Sequence, residues 1–146
     1  PGQDERFVVA SFAGQIARIE AGRAPPLLEV GNLSSYRDFL DVADVAGAYV
    51  DLIGRSESLA DGSVFNISSG VPRTIASVLE GLRARARVPF EIRVAPERVR
   101  PNEIPLAAGD ASRLHRATGW QPQVAWDEAL TRVLDDARAR LVPAGG

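Results

Sequence analysis

Apolar residues recur at helical spacing in several stretches of the chain. Between Glu5 and Ala21, Phe12, Ile16 and Ile19 share one face with Val8 and Val9 beside them; Asp4 stands where an N-cap belongs and Gly22 where a helix ends. Thr74 precedes a second such pattern, with Ile75, Val78, Leu79 and Leu82 inward. A third runs from Asp127 to Leu141, with Leu130, Val133, Leu134, Ala137 and Leu141 inward, and a shorter one follows Asp110, carries Leu114 and Ala117, and ends at Gly119. Strand-like runs alternate with these. Leu27–Val30 is apolar, Val64–Ile67 is apolar and closed by Ser68-Ser69-Gly70, and Phe90–Val94 alternates. Arg37–Val42 reads as a strand with Phe39 and Asp41 on one face and Asp38, Leu40 and Val42 on the other. It leads into a helix carrying Val45, Ala48, Tyr49, Leu52 and Ile53, with Asp41 or Asp44 as its cap. Gly31–Ser35, Asp61-Gly62 and Trp120–Pro122 read as turns. Residues 95–109 carry three prolines and little periodicity, and Pro143–Gly146 should fray.

Helices and short strands are interleaved, so the class is α/β or α+β. Strands this few and short make a poor central sheet and suit the smaller half of a two-domain enzyme. Net charge is -2 with a pI near 5.4, against the basic stripe that nucleic acid requires. All 17 basic residues are arginine, so no lysine serves as base or Schiff-base former. Without cysteine, and with His115 as the one histidine, a disulfide frame, a thiolate nucleophile and a Cys- or His-rich metal site are excluded. No apolar run approaches the roughly 20 residues of a membrane span and nothing at the start reads as a signal peptide, so a cytoplasmic location is the default expectation.

Candidate catalytic groups are few. There is no Gly-x-Gly-x-x-Gly, P-loop or Gly-x-Ser-x-Gly. His115 reads as a helix residue, and Asp135-Asp136 as a solvent-facing pair. Ser68-Ser69-Gly70 offers N–H groups and hydroxyls to an anion, or simply ends a strand. Binding groups stand out more. Arg37 follows a turn and can meet an anion, although a surface pair with Asp38 is the plainer reading. Arg98, Arg100, Asn102 and Glu103 crowd into the proline-rich segment, where a stiffened loop lowers the cost of ordering around a ligand. Arginine forks match phosphate oxygens in pairs, and a carboxylate such as Glu103 accepts from ribose hydroxyls.

Five motifs occur in order: Arg-Asp-Phe-Leu-Asp-Val-x-Asp-Val at 37–45, Val-Phe-Asn-Ile-Ser-Ser-Gly at 64–70, Arg-Pro-Asn-Glu-Ile-Pro at 100–105, Gly-Asp-x-Ser-Arg-Leu at 109–114 and Thr-Gly-Trp-Gln-Pro at 118–122. Together they resemble the C-terminal half of the NAD(P)-dependent nucleotide-sugar epimerase/dehydratase family, the extended short-chain dehydrogenases. The stretch Phe7–Glu20 and the Gly31-Asn32-Leu33 turn most resemble the branch of GDP-mannose 4,6-dehydratase and GDP-4-keto-6-deoxymannose reductase. The resemblance implies an α/β substrate-binding portion with several helices, few strands and the Rossmann core largely missing. It implies that residues 1–142 form the nucleotide-sugar domain and 143–146 a disordered tail. It implies that Arg37 and Arg100 bind the diphosphate, that Glu103 holds the ribose, that Val9 borders the base, and that Asn32 and Leu33 lie near the nucleotide.

The family's Gly-rich loop, Ser/Thr and Tyr-x-x-x-Lys are absent from this sequence, and Pro1-Gly2 resembles the end of the family's Asn-x-x-Gly-Pro stretch. The chain is therefore expected to be a fragment, a truncated product or one part of a split enzyme, and inactive alone. The alternative is a non-catalytic module for a nucleotide sugar or a partner protein. In the complete enzyme NAD or NADP, bound mainly by the N-terminal half, would carry hydride to or from C4 of a GDP-hexose. The expected partners are a nucleotide-diphosphate sugar, the missing dinucleotide domain and a possible second copy of the chain. Part of helices 5–21 and 127–141 and of strand 64–67 should pack on that missing domain and leave an apolar patch when it is absent.

Overall fold

The computed structural model describes residues 1–99 and 104–141; the tail expected at 143–146 lies outside them. The elements in order are α1 (Val8–Glu20), β1 (Leu27–Val30), β2 (Tyr36–Asp38), α2 (Val42–Gly54), β3 (Pro72–Thr74), α3 (Ile75–Arg83), β4 (Glu91–Val94), β5 (Leu106–Ala107), α4 (Ser112–Thr118) and α5 (Trp126–Leu141). The fold is mixed α/β. Contacts divide it into two compact units.

The first unit holds α1, β1, α3, β4 and α5. The stripe read from the sequence is the buried one: Phe12, Ile16 and Ile19 are out of solvent, with Ala13 and Ala17 between them letting a neighbouring helix approach closely. That neighbour is α5, which buries Leu130 and Leu134, and α3 joins both with Val78, Leu79 and Leu82. Each such leucine contributes about 1.5–3 kcal/mol by leaving water. β1 and β4 pair in parallel, Leu27 opposite Glu91 and Val30 opposite Val94, with Leu28 and Val30 fully buried. Gln15 of α1 covers one stretch of β1 edge: its Oε1 accepts from Glu29 N–H at 2.9 Å and its Nε2 donates to Glu29 O at 3.1 Å.

Helix ends follow local chemistry, with one shift. The Thr74 hydroxyl accepts from Ser77 N–H at 3.0 Å and caps α3 as read. Past α1, Gly22 N–H reaches Ile19 O at 3.0 Å and Arg23 N–H reaches Arg18 O at 2.8 Å, the paired bonds of a Schellman ending. Asp4 does not cap α1. Its carboxylate accepts from Arg6 N–H at 2.8 Å and pairs with the Arg6 guanidinium, so the chain turns there and the helix starts at Val8, behind Phe7. Two neighbouring Arg6 donors outcompete the helix N-terminus for that carboxylate.

The second unit holds β2, α2, β5, α4 and the first residues of β3. Three strands lie in the order β3-β2-β5, and β2 and β5 are parallel with Tyr36 opposite Leu106 and Arg37 opposite Ala107. Ala48, Leu114 and Trp120 form the core, and Leu40, Leu52, Phe65, Ile67 and Ala111 pack on it. Asp41 caps α2, its carboxylate accepting from Ala43 N–H at 2.8 Å. Asp110 accepts from Ser112 N–H at 2.8 Å at the start of α4, and that bond holds the carboxyl below its usual range.

Several expectations are corrected. The strand at 37–42 is shorter, since only Tyr36–Asp38 has ladder partners and the chain leaves it to reach the Asp41 cap. α2 carries the apolar residues read on it, of which Tyr49 and Ile53 are 58% and 72% exposed. Val64–Ile67 alternates between exposed and half-buried residues but joins no sheet among the described residues. Alternation in β4 stops at Ile92, and Val94 faces out. The apolar faces of α1 and α5 pack on each other and on α3, and the exposed large apolar residues include Val42, Tyr49, Val50 and Ile53 of α2, Val64, Phe7, Val94, Ile104 and Leu106. No helix of the described residues is long and apolar enough to cross a membrane.

Candidate functional site

In the first unit the chain turns at Gly31–Ser35 after β1. A Cβ on Gly31 would collide with the main-chain oxygen of Arg98, so glycine is what lets the 95–98 stretch lie against the end of β1. Ala95 N–H donates to Val30 O at 2.8 Å and fixes that approach. The Asn32 side chain shapes the turn: Oδ1 accepts from Ser34 N–H at 2.9 Å and Ser34 Oγ at 2.8 Å, and Nδ2 donates to the buried Ser35 Oγ at 3.1 Å. Leu33 O accepts from Ala76 N–H at 2.9 Å and Ser35 O from Ile75 N–H at 3.0 Å, which ties the turn to the first turn of α3. Val9 is half-buried at the start of α1. Val9, Asn32 and Leu33 therefore belong to one unit, and the Asn32 amide is engaged in building the turn.

Arg37 belongs to the other unit. It lies in β2 opposite Ala107, half-buried, with Nη1 donating to Tyr36 O at 2.7 Å. Beside it, the Asp38 carboxylate gathers distant amides. Oδ1 accepts from Ser69 N–H at 2.8 Å and Ser69 Oγ at 2.7 Å, and Oδ2 accepts from Gly70 N–H at 2.9 Å and, at 3.5 Å, from Gly109 N–H. The Ser69 and Gly70 amides of the turn that reads as an anion seat are thus taken by the chain's own Asp38. The effect is to lock β2, and with it the Arg37 backbone, to two loops.

The knot leaves no room at Gly109. A Cβ there would lie 2.5 Å from Ser68 Cβ, and the Ser68 hydroxyl is buried with no partner among the described residues. Gly109→Ala is expected to destabilise the protein by roughly 1–3 kcal/mol, since the neighbouring atom is a stiff Cβ. Ser68→Gly in the same chain should recover most of the loss, because it removes the atom that clashes. Urea unfolding of the single and double variants measures the coupling; equal losses with and without Ser68→Gly would refute the contact.

Two of the expected ligands, Arg100 and Glu103, lie outside the described residues. Pro105, the last residue of their motif, is described: Tyr36 N–H donates to Pro105 O at 2.7 Å, one residue from Arg37. Arg98 stands 3.9 Å from Glu29, which the Arg93 guanidinium also meets; Arg93 above all holds the Glu29 carboxyl below its usual range. His115 is an exposed helix residue with Nδ1 3.1 Å from Trp120 O. Asp136 accepts from Gly2 N–H at 3.0 Å and pairs with Arg140. Asp44 is not the cap of α2. It is buried and accepts from Gln123 N–H at 2.8 Å and Val124 N–H at 3.2 Å, while its main-chain oxygen accepts from the Trp120 indole at 3.1 Å. It holds the turn after α4.

β1 and β4 do not end as a dinucleotide seat does. Such a seat needs a parallel strand, a glycine-rich loop and a helix N-terminus in succession. β1 runs into the Gly31–Ser35 turn, whose glycine is backed by the Arg98 main chain, and β4 runs into a short 3-10 turn at Pro96–Arg98.

Comparison with known proteins follows the same lines. The family model described as GDP-mannose 4,6 dehydratase matches residues 1–133. GDP-6-deoxy-D-mannose reductase of Pseudomonas aeruginosa is 40% identical over 141 residues, which are 97% of this chain and 45% of the reductase. The structure of RMD from Pseudomonas aeruginosa complexed with NADPH superposes with a TM-score of 0.87 at 39% identity, covering 97% of this chain and 46% of that one. UDP-glucose 4-epimerase of Thermus thermophilus, solved with NAD, gives a TM-score of 0.75 at 26% identity over 97% of this chain and 44% of the epimerase. The chain thus spans just under half the length of the relatives it matches, and corresponds to their C-terminal part.

Proposed function

This chain belongs to the GDP-mannose 4,6-dehydratase family of NAD(P)-dependent epimerases and dehydratases, and from that premise we propose that it is the nucleotide-sugar-binding portion of an enzyme acting on a GDP-hexose. In this reading Arg37 and Arg100 grip the diphosphate, Glu103 accepts from the ribose, and Val9, Asn32 and Leu33 line the nucleoside side. The hydride chemistry at C4 of the sugar belongs to NAD or NADP, held mainly by a portion of the enzyme outside this chain. What these residues supply is grip and orientation: binding energy at the nucleotide that fixes the sugar for reaction elsewhere.

One observation carries the reading. Pro105 closes the Arg-Pro-Asn-Glu-Ile-Pro motif and is hydrogen-bonded to the main chain of Tyr36, the residue before Arg37. The last residue of one motif is thereby tied to the residue that precedes the other, and both sequences carry arginines of the kind that fork onto phosphate.

The purified chain mixed with GDP-mannose, or with a GDP-4-keto-6-deoxyhexose, and either nicotinamide cofactor is expected to produce no change in cofactor absorbance and no new sugar nucleotide. It should nevertheless bind GDP saturably. Turnover by the chain, free of host enzyme, would overturn its reading as a binding portion.

A further inference from the structure

The sheet of β1 and β4 is filled at one edge and open at the other. Glu91 N–H donates to Pro26 O at 2.9 Å and Ala95 N–H to Val30 O at 2.8 Å, so alternate residues of β4 from Glu91 onward turn their main-chain groups toward β1. Ile92 and Val94 turn theirs the other way. No strand lies beside that edge among the described residues, and none of the main-chain bonds made outside the sheets involves either residue. The far edge of β1 is treated differently: the Gln15 amide fills it by bonding both the N–H and the oxygen of Glu29. β4 carries no proline, so nothing in its own sequence removes a donor from the open edge.

The side chains of β4 make this edge complementary to itself. Glu91, Arg93 and Val94 are exposed and Ile92 is half-buried. A second β4 laid antiparallel, with a two-fold axis at Ile92, sets Ile92 against Ile92, each N–H donating to the other's oxygen. In that register Glu91 of each copy faces Arg93 of the other, an opposed-charge pair made twice. Glu29 already stands opposite Arg93 and pairs with its guanidinium, so Arg93 comes to lie between two carboxylates, Glu29 of its own chain and Glu91 of the second copy. On the other face Leu28 stands opposite Ile92, so the two copies form one apolar row of Leu28, Ile92, Ile92 and Leu28. Moving the axis to Val94 would set Ile92 against Pro96, which has no N–H to give.

We infer that the open edge of β4 joins two copies of this chain, giving a two-fold dimer with one continuous four-stranded sheet, β1-β4-β4-β1. Charge order selects the occupant. An unrelated strand would have to bring a cation opposite Glu91 and an anion opposite Arg93 at this spacing, and a second copy brings both. The strand is 4 residues long, a small contact beside the roughly 1,200–2,000 Å² of a stable interface, so the dimer is weak and forms with rising concentration. The inference does not rest on the nucleotide assignments, since Val9, Asn32, Leu33 and Arg37 all lie off β4.

The test combines sedimentation velocity across a concentration series with amide hydrogen exchange. Wild type is expected to shift from monomer to dimer, and exchange at Ile92 and Val94 to slow as the dimer fills, a measurement that needs no variant. Glu91→Arg sets arginine against arginine and Arg93→Glu sets glutamate against glutamate, twice in each dimer. Each is expected to weaken association about tenfold or more, with thermal melting by circular dichroism checking that each remains folded. In an equimolar mixture of the two variants every arginine of one chain meets a carboxylate of the other, so association should return toward the wild-type level. That recovery separates this register from a dimer formed through any other face. A wild type that stays monomeric at millimolar concentration, exchange at Ile92 and Val94 that ignores concentration, self-association indifferent to both charge reversals, or a mixture that stays as weak as its parts would overturn the inference.

Discussion

Replacing Arg138 with alanine is expected to destabilise the α1–α3–α5 unit by about 3–5 kcal/mol, a large share of the roughly 5–15 kcal/mol that holds a domain together. Arg138 donates from Nε and Nη2 to the two oxygens of Glu20 at 2.7 and 2.8 Å, from Nη2 to Arg85 O at 3.0 Å, and from Nη1 to Asp135 at 2.8 Å. It therefore joins α5 to the end of α1 and to the chain just after α3. The Glu20 side chain is 6% exposed and Arg138 17%, so the pair is screened by little water. Alanine would leave the Glu20 carboxylate buried with only Arg87 N–H, at 2.8 Å, still donating to it.

The same pair sets a pH dependence. Arg138 first, and then the Arg87 N–H, hold the Glu20 carboxyl below its usual range against the opposing effect of burial. A carboxyl with a lowered folded pKa contributes stability in full above the ordinary carboxylate pKa and loses it as pH falls through the folded value. The gap between wild type and Arg138→Ala should thus be widest near neutral pH and should shrink below the ordinary carboxylate range, about pH 4. Urea unfolding across that range checks both statements. A loss below about 1 kcal/mol at pH 7 would show that the pair does little more than a surface salt bridge does.

The periodic helices were legible because their partners are regular. The stripes of α1, α3 and α5 match three elements that pack on one another, and the Thr74 and Asp41 caps act on amides two or three residues away. The less legible features depend on residues far off in sequence. β3 and β5 are two or three residues long and exist because β2 lies beside one and pairs with the other, which no local period announces. Val64–Ile67 has a strand's pattern but lacks a partner among the described residues, so pattern alone overstated it. Asp38 and Asp44 serve amides 31 to 80 residues away, and a lone aspartate carries no local sign of that work. Of the candidate site, Arg37, Asn32 and Leu33 were marked by resemblance more than by spacing. The structure adds what spacing could not: Asp38 pinning the strand of Arg37, and Gly31 admitting the Arg98 main chain.

Arg37→Ala is expected to weaken GDP binding about tenfold or more, from the loss of a charge-assisted, two-pronged contact contributing about 1.5–3 kcal/mol. The strand carrying Arg37 is fixed on both sides, by the ladder to β5 and by the Asp38 knot, so the fork would close on the phosphates with little further ordering. Arg37→Lys should recover little, because an ammonium cannot span two oxygens. Arg83→Ala is the control: Arg83 is exposed on α3 with its guanidinium 5.9 Å from the Phe90 ring, so its loss should cost a little stability and no affinity. Calorimetric titration of GDP into the chain and these three variants measures the difference directly. Tight binding is expected of wild type and Arg83→Ala, and at least tenfold weaker binding of Arg37→Ala and Arg37→Lys; equal affinity across all four would contradict the assignment of Arg37 to the diphosphate.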